Sequence, residues 1–330
     1  MDTNKIILKK QYFNFRWEYV LILFFILINI INASISPYYL VTENLLKMSQ
    51  VFIEKGIIGL ILLLLVISGN VDISPAAILA LSAAMFGFLY DKGLNILVCI
   101  MISLIIGTFC GFLNGIIIIK TGLPSIIVTL VNLTFFRGFA YVLLKDEAIY
   151  GFPDKFTLLG NGTIPNTAIP IADIIFIVLA IIVGLILHKT YIGRYLYAIG
   201  SNRDTASLSG INVKKITLSL FTISGFIYAF SAILLASRLG SIRPNIATGF
   251  ELEVITIIVF GGAAVFGGNG TIFGFILSLL TLGYLRFGLA LINIPGQVMI
   301  MISGLLLIIA ILSNNLIKMI NEKRILKVKL

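Results

Sequence analysis

Histidine is almost missing from this chain, cysteine occurs twice, and acidic residues number 14 in 330. Each shortage excludes something. The one histidine, His188, sits beside Lys189 at the end of an apolar run and reads as an interfacial residue rather than a catalytic one. Cys99 and Cys110 share a single apolar run, so neither a disulfide framework nor a cysteine metal site is credible. No His/Cys/Asp cluster stands out, which argues against an intramembrane enzyme and gives an expectation of no catalytic residues. No G-x-x-x-x-G-K-[ST] occurs, so no cofactor is expected on this chain.

What fills the chain is apolar. Hydrophobic residues make up 59% and charged ones 12%, and the mean hydropathy is +1.10. A soluble domain needs a more polar exterior than this. Apolar runs predict membrane-spanning helices near 18–36, 51–69, 73–90, 96–119, 124–144, 168–187, 215–236, 251–267, 271–291 and 296–313. The expectation is an all-α polytopic membrane protein with about ten spans. It forms one transmembrane domain over 18–313, between a tail at 1–17 and a basic tail at 314–330. The basic start followed by Val20–Ile31 imitates a signal peptide, but the many later spans favour a retained first helix.

The net charge of +10 is unevenly placed. Lys5, Lys9, Lys10 and Arg16 precede the first span; Lys189, Arg194, Arg203, Lys214 and Lys215 lie in one central loop; Lys318, Lys323, Arg324, Lys327 and Lys329 close the chain. With Lys120, these predict one basic face, which the positive-inside rule makes cytoplasmic, with both termini on it. An even number of spans agrees with that. Anionic lipid headgroups account for the basic tails, and nucleic acid is not an expected partner.

Four polar features interrupt the apolar pattern. The central loop reads Ser201-Asn202-Arg203-Asp204-Thr205-Ala206-Ser207-Leu208-Ser209-Gly210. Ser201 as N-cap, Asp204 in the first turn and Gly210 as terminator predict a short cytoplasmic helix. So short a helix needs a docking surface, either its own span ends or a second protein. Two glycine-rich segments, Ser68 to Pro75 and Phe260 to Gly270, predict turns between spans or broken helices lining a cavity. Asp72 in the first is either a turn cap or a pathway residue. Arg137 and Arg286 lie inside spans, where a cation needs a partner or must snorkel; snorkelling suits Arg286 better. Asp72 and Arg137 are expected to approach one another or to share a polar cavity, since each alone in lipid is unfavourable. Gly107, Gly111 and Gly115 share a helix face, for a tight contact near a pore or for ordinary packing.

Taken in order, these segments resemble the permease subunit of bacterial ribose-type ABC importers. The motifs are Gly69-Asn70-Val71-Asp72-Ile73-Ser74, Leu113-Asn114-Gly115, Leu123-Pro124-Ser125-Ile126-Ile127-Val128-Thr129-Leu130, Arg137-Gly138, the block from Gly193 to Gly200, Ser209 to Val213, Gly261-Gly262, and Phe266-Gly267-Gly268-Asn269-Gly270. The chain departs from the pattern at Asn70, at Pro75-Ala76-Ala77 and at Val131-Asn132-Leu133. Trp17-Glu18 and Ile294-Pro295-Gly296-Gln297-Val298 are similar to the autoinducer-2 and rhamnose permeases.

The resemblance implies a translocation subunit rather than an enzyme, in a bacterial inner membrane, with a separate ATPase that binds ATP. It also implies an extracytoplasmic solute-binding protein and a second permease chain, as homodimer or heterodimer. The coupling segment would be about 201–210, with Asp204, Thr205, Ala206 and Gly210 entering a groove of the ATPase. Candidate pathway or hinge residues are Gly69, Asp72, Asn114, Thr129, Asn132, Arg137, Gly261, Gly262, Gly267 and Gly268. The solute would be a small sugar or sugar-like molecule of the ribose, rhamnose or autoinducer-2 type. The rival reading is a secondary transporter driven by an ion gradient, with Asp72 and Arg137 at its ion site.

Overall fold

The computed structural model describes residues 17–165, 167, 169–299, 301, 302, 304, 305, 308, 309 and 312. Almost all of the secondary structure is helical. The chain opens with α1 (Trp17–Ile35), followed by a short α2 (Thr42–Lys47) and a single 3-10 turn at Met48–Val51. Next come α3 (Ile53–Ile67), α4 (Pro75–Asp91), α5 (Ile96–Thr121) and α6 (Ser125–Leu144). A two-residue strand β1 (Ile149–Tyr150) and α7 (Asp154–Asn161) lead into α8 (Ile171–Lys189). Then follow α9 (Tyr191–Ser201), α10 (Arg203–Leu208) and α11 (Val213–Leu239), strand β2 (Ser241–Ile242), α12 (Phe250–Phe260) and α13 (Ile272–Leu291). The described residues of 296–312 are helical as well. β1 and β2 pair antiparallel, Ile149 opposite Ile242 and Tyr150 opposite Ser241.

Local chemistry sets the helix ends. Asn95 caps α5 by accepting from the Leu97 N–H at 2.9 Å, Asn212 caps α11 through Lys215 N–H, and Thr271 caps α13 through Gly274 N–H. Gly122 and Gly240 close α5 and α11 at φ 70 and 64, a left-handed conformation that costs glycine little.

A helix stands at each of the ten expected positions, but length and hydropathy qualify six of the described helices as long and apolar enough to cross a membrane. These are α1, α5, α6, α8, α11 and α13. The expected span at 251–267 is shorter than predicted: α12 stops at Phe260, where Gly261 and Gly262 end the helix. Every residue of α3 is buried, so the protein encloses it rather than lipid. α11 packs on α3, α4 and α5, and α1 packs along α13. Helices α1, α5, α6 and α8 leave most of their residues unburied and carry many exposed apolar side chains. That distribution, an apolar exterior around a buried central helix, marks a polytopic membrane protein. The tails expected at 1–17 and 314–330 lie outside the described residues except Trp17, which belongs to α1 and donates to the Phe260 carbonyl at 2.6 Å.

Candidate pathway and coupling site

The break between α3 and α4 organises the polar interior. Residues 68–74 leave the helix and would orphan several backbone N–H groups, so side chains take them up. Val71 N–H donates to Ser125 Oγ at 2.9 Å and Ile73 N–H to Thr129 Oγ1 at 3.2 Å. Asp72 is fully buried and accepts from the Ser74 N–H at 2.8 Å, the Ser74 hydroxyl at 2.6 Å and the Tyr228 hydroxyl at 3.1 Å. Asn114 donates to Ser74 Oγ at 2.8 Å, and Asn132 donates to Asn114 Oδ1 at 2.6 Å. Four expected site residues, Asp72, Asn114, Thr129 and Asn132, thus meet in one buried network joining α4, α5, α6 and α11. Of the two readings of Asp72, its geometry is that of a turn cap.

Arg137 is not paired with Asp72. Its guanidinium donates to the carbonyls of Pro244 at 3.1 Å, Ile246 at 2.7 Å and Ala76 at 3.1 Å. Carbonyl oxygens converging from two segments take up its N–H groups, so the approach expected between Asp72 and Arg137 gives way to separate partner sets. Arg286 does not snorkel either. It pairs with Glu253 at 2.7 Å, on the same carboxylate oxygen that Lys55 approaches at 2.6 Å. Glu54 pairs with Arg238 through its Nε. The sequence reading missed these buried charges of α3 and α12; the available signal was a Glu-Lys pair inside an apolar run.

The two glycine-rich breaks meet each other. Gly268 N–H donates to the Ile67 carbonyl at 2.9 Å. A Cβ on Gly267 would stand 2.7 Å from Gly69 Cα, and one on Gly200 would collide with the Ile67 carbonyl. Gly69, Gly262, Gly267 and Gly268 all have left-handed φ, between 77 and 90, which suits glycine. Gly261 is instead helical at φ −66 and lies tightly against Gly274. α9 completes the junction: Tyr197 donates to the Gly270 carbonyl at 2.7 Å. Burial raises the pKa of that hydroxyl, so it remains a donor at neutral pH.

α10 continues from α9. Its N-cap is Asn202, which accepts from Thr205 N–H at 2.8 Å; Ser201, the expected cap, is the last residue of α9. Gly210 has the expected left-handed conformation, φ 84. Gly210 N–H bonds to the Ser207 carbonyl and Ile211 N–H to the Ala206 carbonyl, the paired bonds of a Schellman ending. Ala206 differs from expectation. It is buried against Ile199 and Val213, so it faces its own protein. The outward face carries Arg203, Asp204, Thr205, Ser207 and Leu208, with Leu208 89% exposed. Phe266, in the glycine-rich loop beside Gly267, is 92% exposed.

This arrangement binds a buried polar network, two broken helices and an exposed capped helix into one framework. Comparison with known proteins assigns it. Residues 44–311 match the family model described as the branched-chain amino acid transport system permease component. The chain belongs to this permease family. It is 33% identical over 306 residues to the autoinducer 2 import system permease protein LsrD of Photorhabdus temperata, covering 91% of each chain. Its identity to the LsrD proteins of Escherichia coli O9:H4 (strain HS) and of Shigella flexneri is also 33%, over 305 residues and 91% of this chain. No solved structure matches. The permease resemblance carried by the motifs from Gly69 to Gly270 therefore holds, and the protein is a multi-pass transport subunit.

Proposed function

We propose that this permease is the membrane subunit of an ABC importer for a small sugar-like solute of the autoinducer-2, ribose or rhamnose type. The LsrD relatives support autoinducer-2 most directly. An extracytoplasmic binding protein delivers the solute, a separate ATPase drives its passage, and a second permease chain closes the pathway. The chain crosses the inner membrane ten times between cytoplasmic termini. The shorter α3, α4 and α12 act as crossings because non-helical chain prolongs them, residues 68–74 between α3 and α4 and residues 243–249 before α12. Residues 18–313 form the single transmembrane domain.

One observation carries the reading. α10 is capped at both ends, presents Leu208 outward, and continues through α9 into the junction of both glycine-rich breaks. A push on α10 therefore reaches the segments that hold Asp72 and the pathway candidates. Leu208 and Phe266 are the apolar anchors for the ATPase, with Asp204 and Thr205 at their edge. Ala206 supports the helix from behind. Gly210 reverses the chain.

The test is co-purification of the ATPase with Leu208→Asp and Gly210→Val, alongside ATP-driven uptake in proteoliposomes. Both variants should insert normally, lose ATPase association and lose uptake. Normal association with both would sink the coupling assignment and bring forward an ion-gradient mechanism.

A further inference from the structure

α12 is 11 residues long, which gives about 16 Å of helix, roughly half a hydrocarbon core. Its C-terminal carbonyl at Phe260 accepts from Trp17, the first residue of the spanning helix α1. That end of α12 is thus level with one membrane face, and its N-terminus lies near the middle of the bilayer. Segment 243–249, which precedes it, is non-helical. Arg137 holds the segment at that depth by its bonds to Pro244 and Ile246, and it reaches Ala76 near the start of α4 with the same guanidinium. On its other side the chain rises to β2, paired with β1 beyond the end of α6. The chain therefore dips into the membrane and turns, using left-handed Ala247 at φ 57 and Gly249 at φ 89 to enter α12.

The outward surface of this dip is polar. Arg243, Asn245 and Thr248 are exposed, while Pro244 and Ile246 between them are buried. Glu251, just beyond, keeps carboxylate oxygen Oε2 buried without a hydrogen-bond partner among the described residues. Irregular backbone and polar side chains at membrane depth are tolerated against protein or water, not against lipid chains.

The geometry points to segment 243–251, the unwound part of the α12 crossing, as a wall of the solute pathway. Asn245 and Thr248 face water in it. Amide and hydroxyl together suit a small, uncharged, hydroxyl-rich solute, whose O–H groups both donate and accept. The inference rests on the importer reading for the word solute, but not for the placement of the loop.

Asn245→Cys and Thr248→Cys, each in a background with Cys99 and Cys110 replaced by serine, test it in membrane vesicles carrying the ATPase. A small membrane-impermeant thiol reagent should label both at least about tenfold faster than Ile181→Cys, on the apolar outer face of α8. Lys155→Cys, at an exposed position of α7, gives the water-exposed reference rate. Labelling as slow as at Ile181 overturns the inference even with uptake intact. Labelling is read without nucleotide, so it decides the placement of the loop whether or not uptake proves to be ATP-driven. Uptake of autoinducer-2, ribose and rhamnose, measured in parallel, tests the importer reading separately. Thr248→Trp should abolish that uptake and leave ATPase association unchanged. Undiminished uptake in Thr248→Trp would show that the solute passes elsewhere.

Discussion

Asn114 is the middle link of the buried network, donating to Ser74 and accepting from Asn132. Leucine at this position keeps the branched outline, with more bulk, and removes both bonds. Ser74 then loses a donor and the Asn132 amide a partner, each fully or nearly enclosed. An unsatisfied buried group costs about 1–3 kcal/mol in water-soluble proteins, while interhelical polar bonds in membranes average nearer about 0.6 kcal/mol. Asn114→Leu should therefore lower stability by about 1–2 kcal/mol, read as a fall in thermal midpoint in detergent. Tyr228→Phe should cost less, because Asp72 keeps two bonds from Ser74. An Asn114→Leu protein as stable as the parent would mean that water replaces the side chain. The same scale shows what the sequence revealed. Asp72 was legible as a charge in a glycine-rich break, while Asn114, Thr129 and Asn132 came in through the permease resemblance. Tyr228 was not, since a tyrosine in a membrane helix is unremarkable until its hydroxyl finds a carboxylate 156 residues away.

At the scale of elements, the crossing of α5 and α11 is set by glycine. A Cβ on Gly111 would collide with the Phe221 carbonyl and stand 2.8 Å from Gly225 Cα. Gly107 likewise meets Ala229 and the Gly225 carbonyl. The four-residue spacing on α5 serves close backbone contact between two helices of the same chain. Gly111→Val should prevent accumulation of folded protein, whereas Gly138→Ala on α6, with nothing within 4 Å, should be neutral. Quantitative detection of both in membranes checks this; equal levels would refute the contact. Helix positions were legible from apolar runs, and the C-terminal end of α10 from Gly210. The end of α12 was not, because the apolar residues Ala263 to Phe266 follow the glycine pair at which the helix stops. The N-cap of α10 shifted by one residue because Ser201 and Asn202 are both good caps, and only geometry chooses between them. The inward aim of Ala206 was hidden for a similar reason: a two-turn helix is too short to show which face is apolar.

At the scale of the whole molecule, buried ion pairs link helices remote in sequence. Glu54 on α3 meets Arg238 on α11 across 184 residues, and Glu253 on α12 receives both Lys55 of α3 and Arg286 of α13. Periodicity cannot reveal such partners, so the sequence reading sought the coupling at Asp72 and Arg137 instead. Glu54 is 2% exposed, so removing its partner leaves a charge enclosed by protein. Breaking one side of a buried pair typically costs about 3–5 kcal/mol, whereas replacing both charges by neutral groups of similar size is often harmless. Arg238→Met alone should therefore yield protein that aggregates on extraction. Glu54→Gln alone should be milder, because Arg238 is the more exposed member and can reach water. The double variant should recover most of the monodisperse peak in size-exclusion chromatography. Strictly additive damage would show that the two charges act independently.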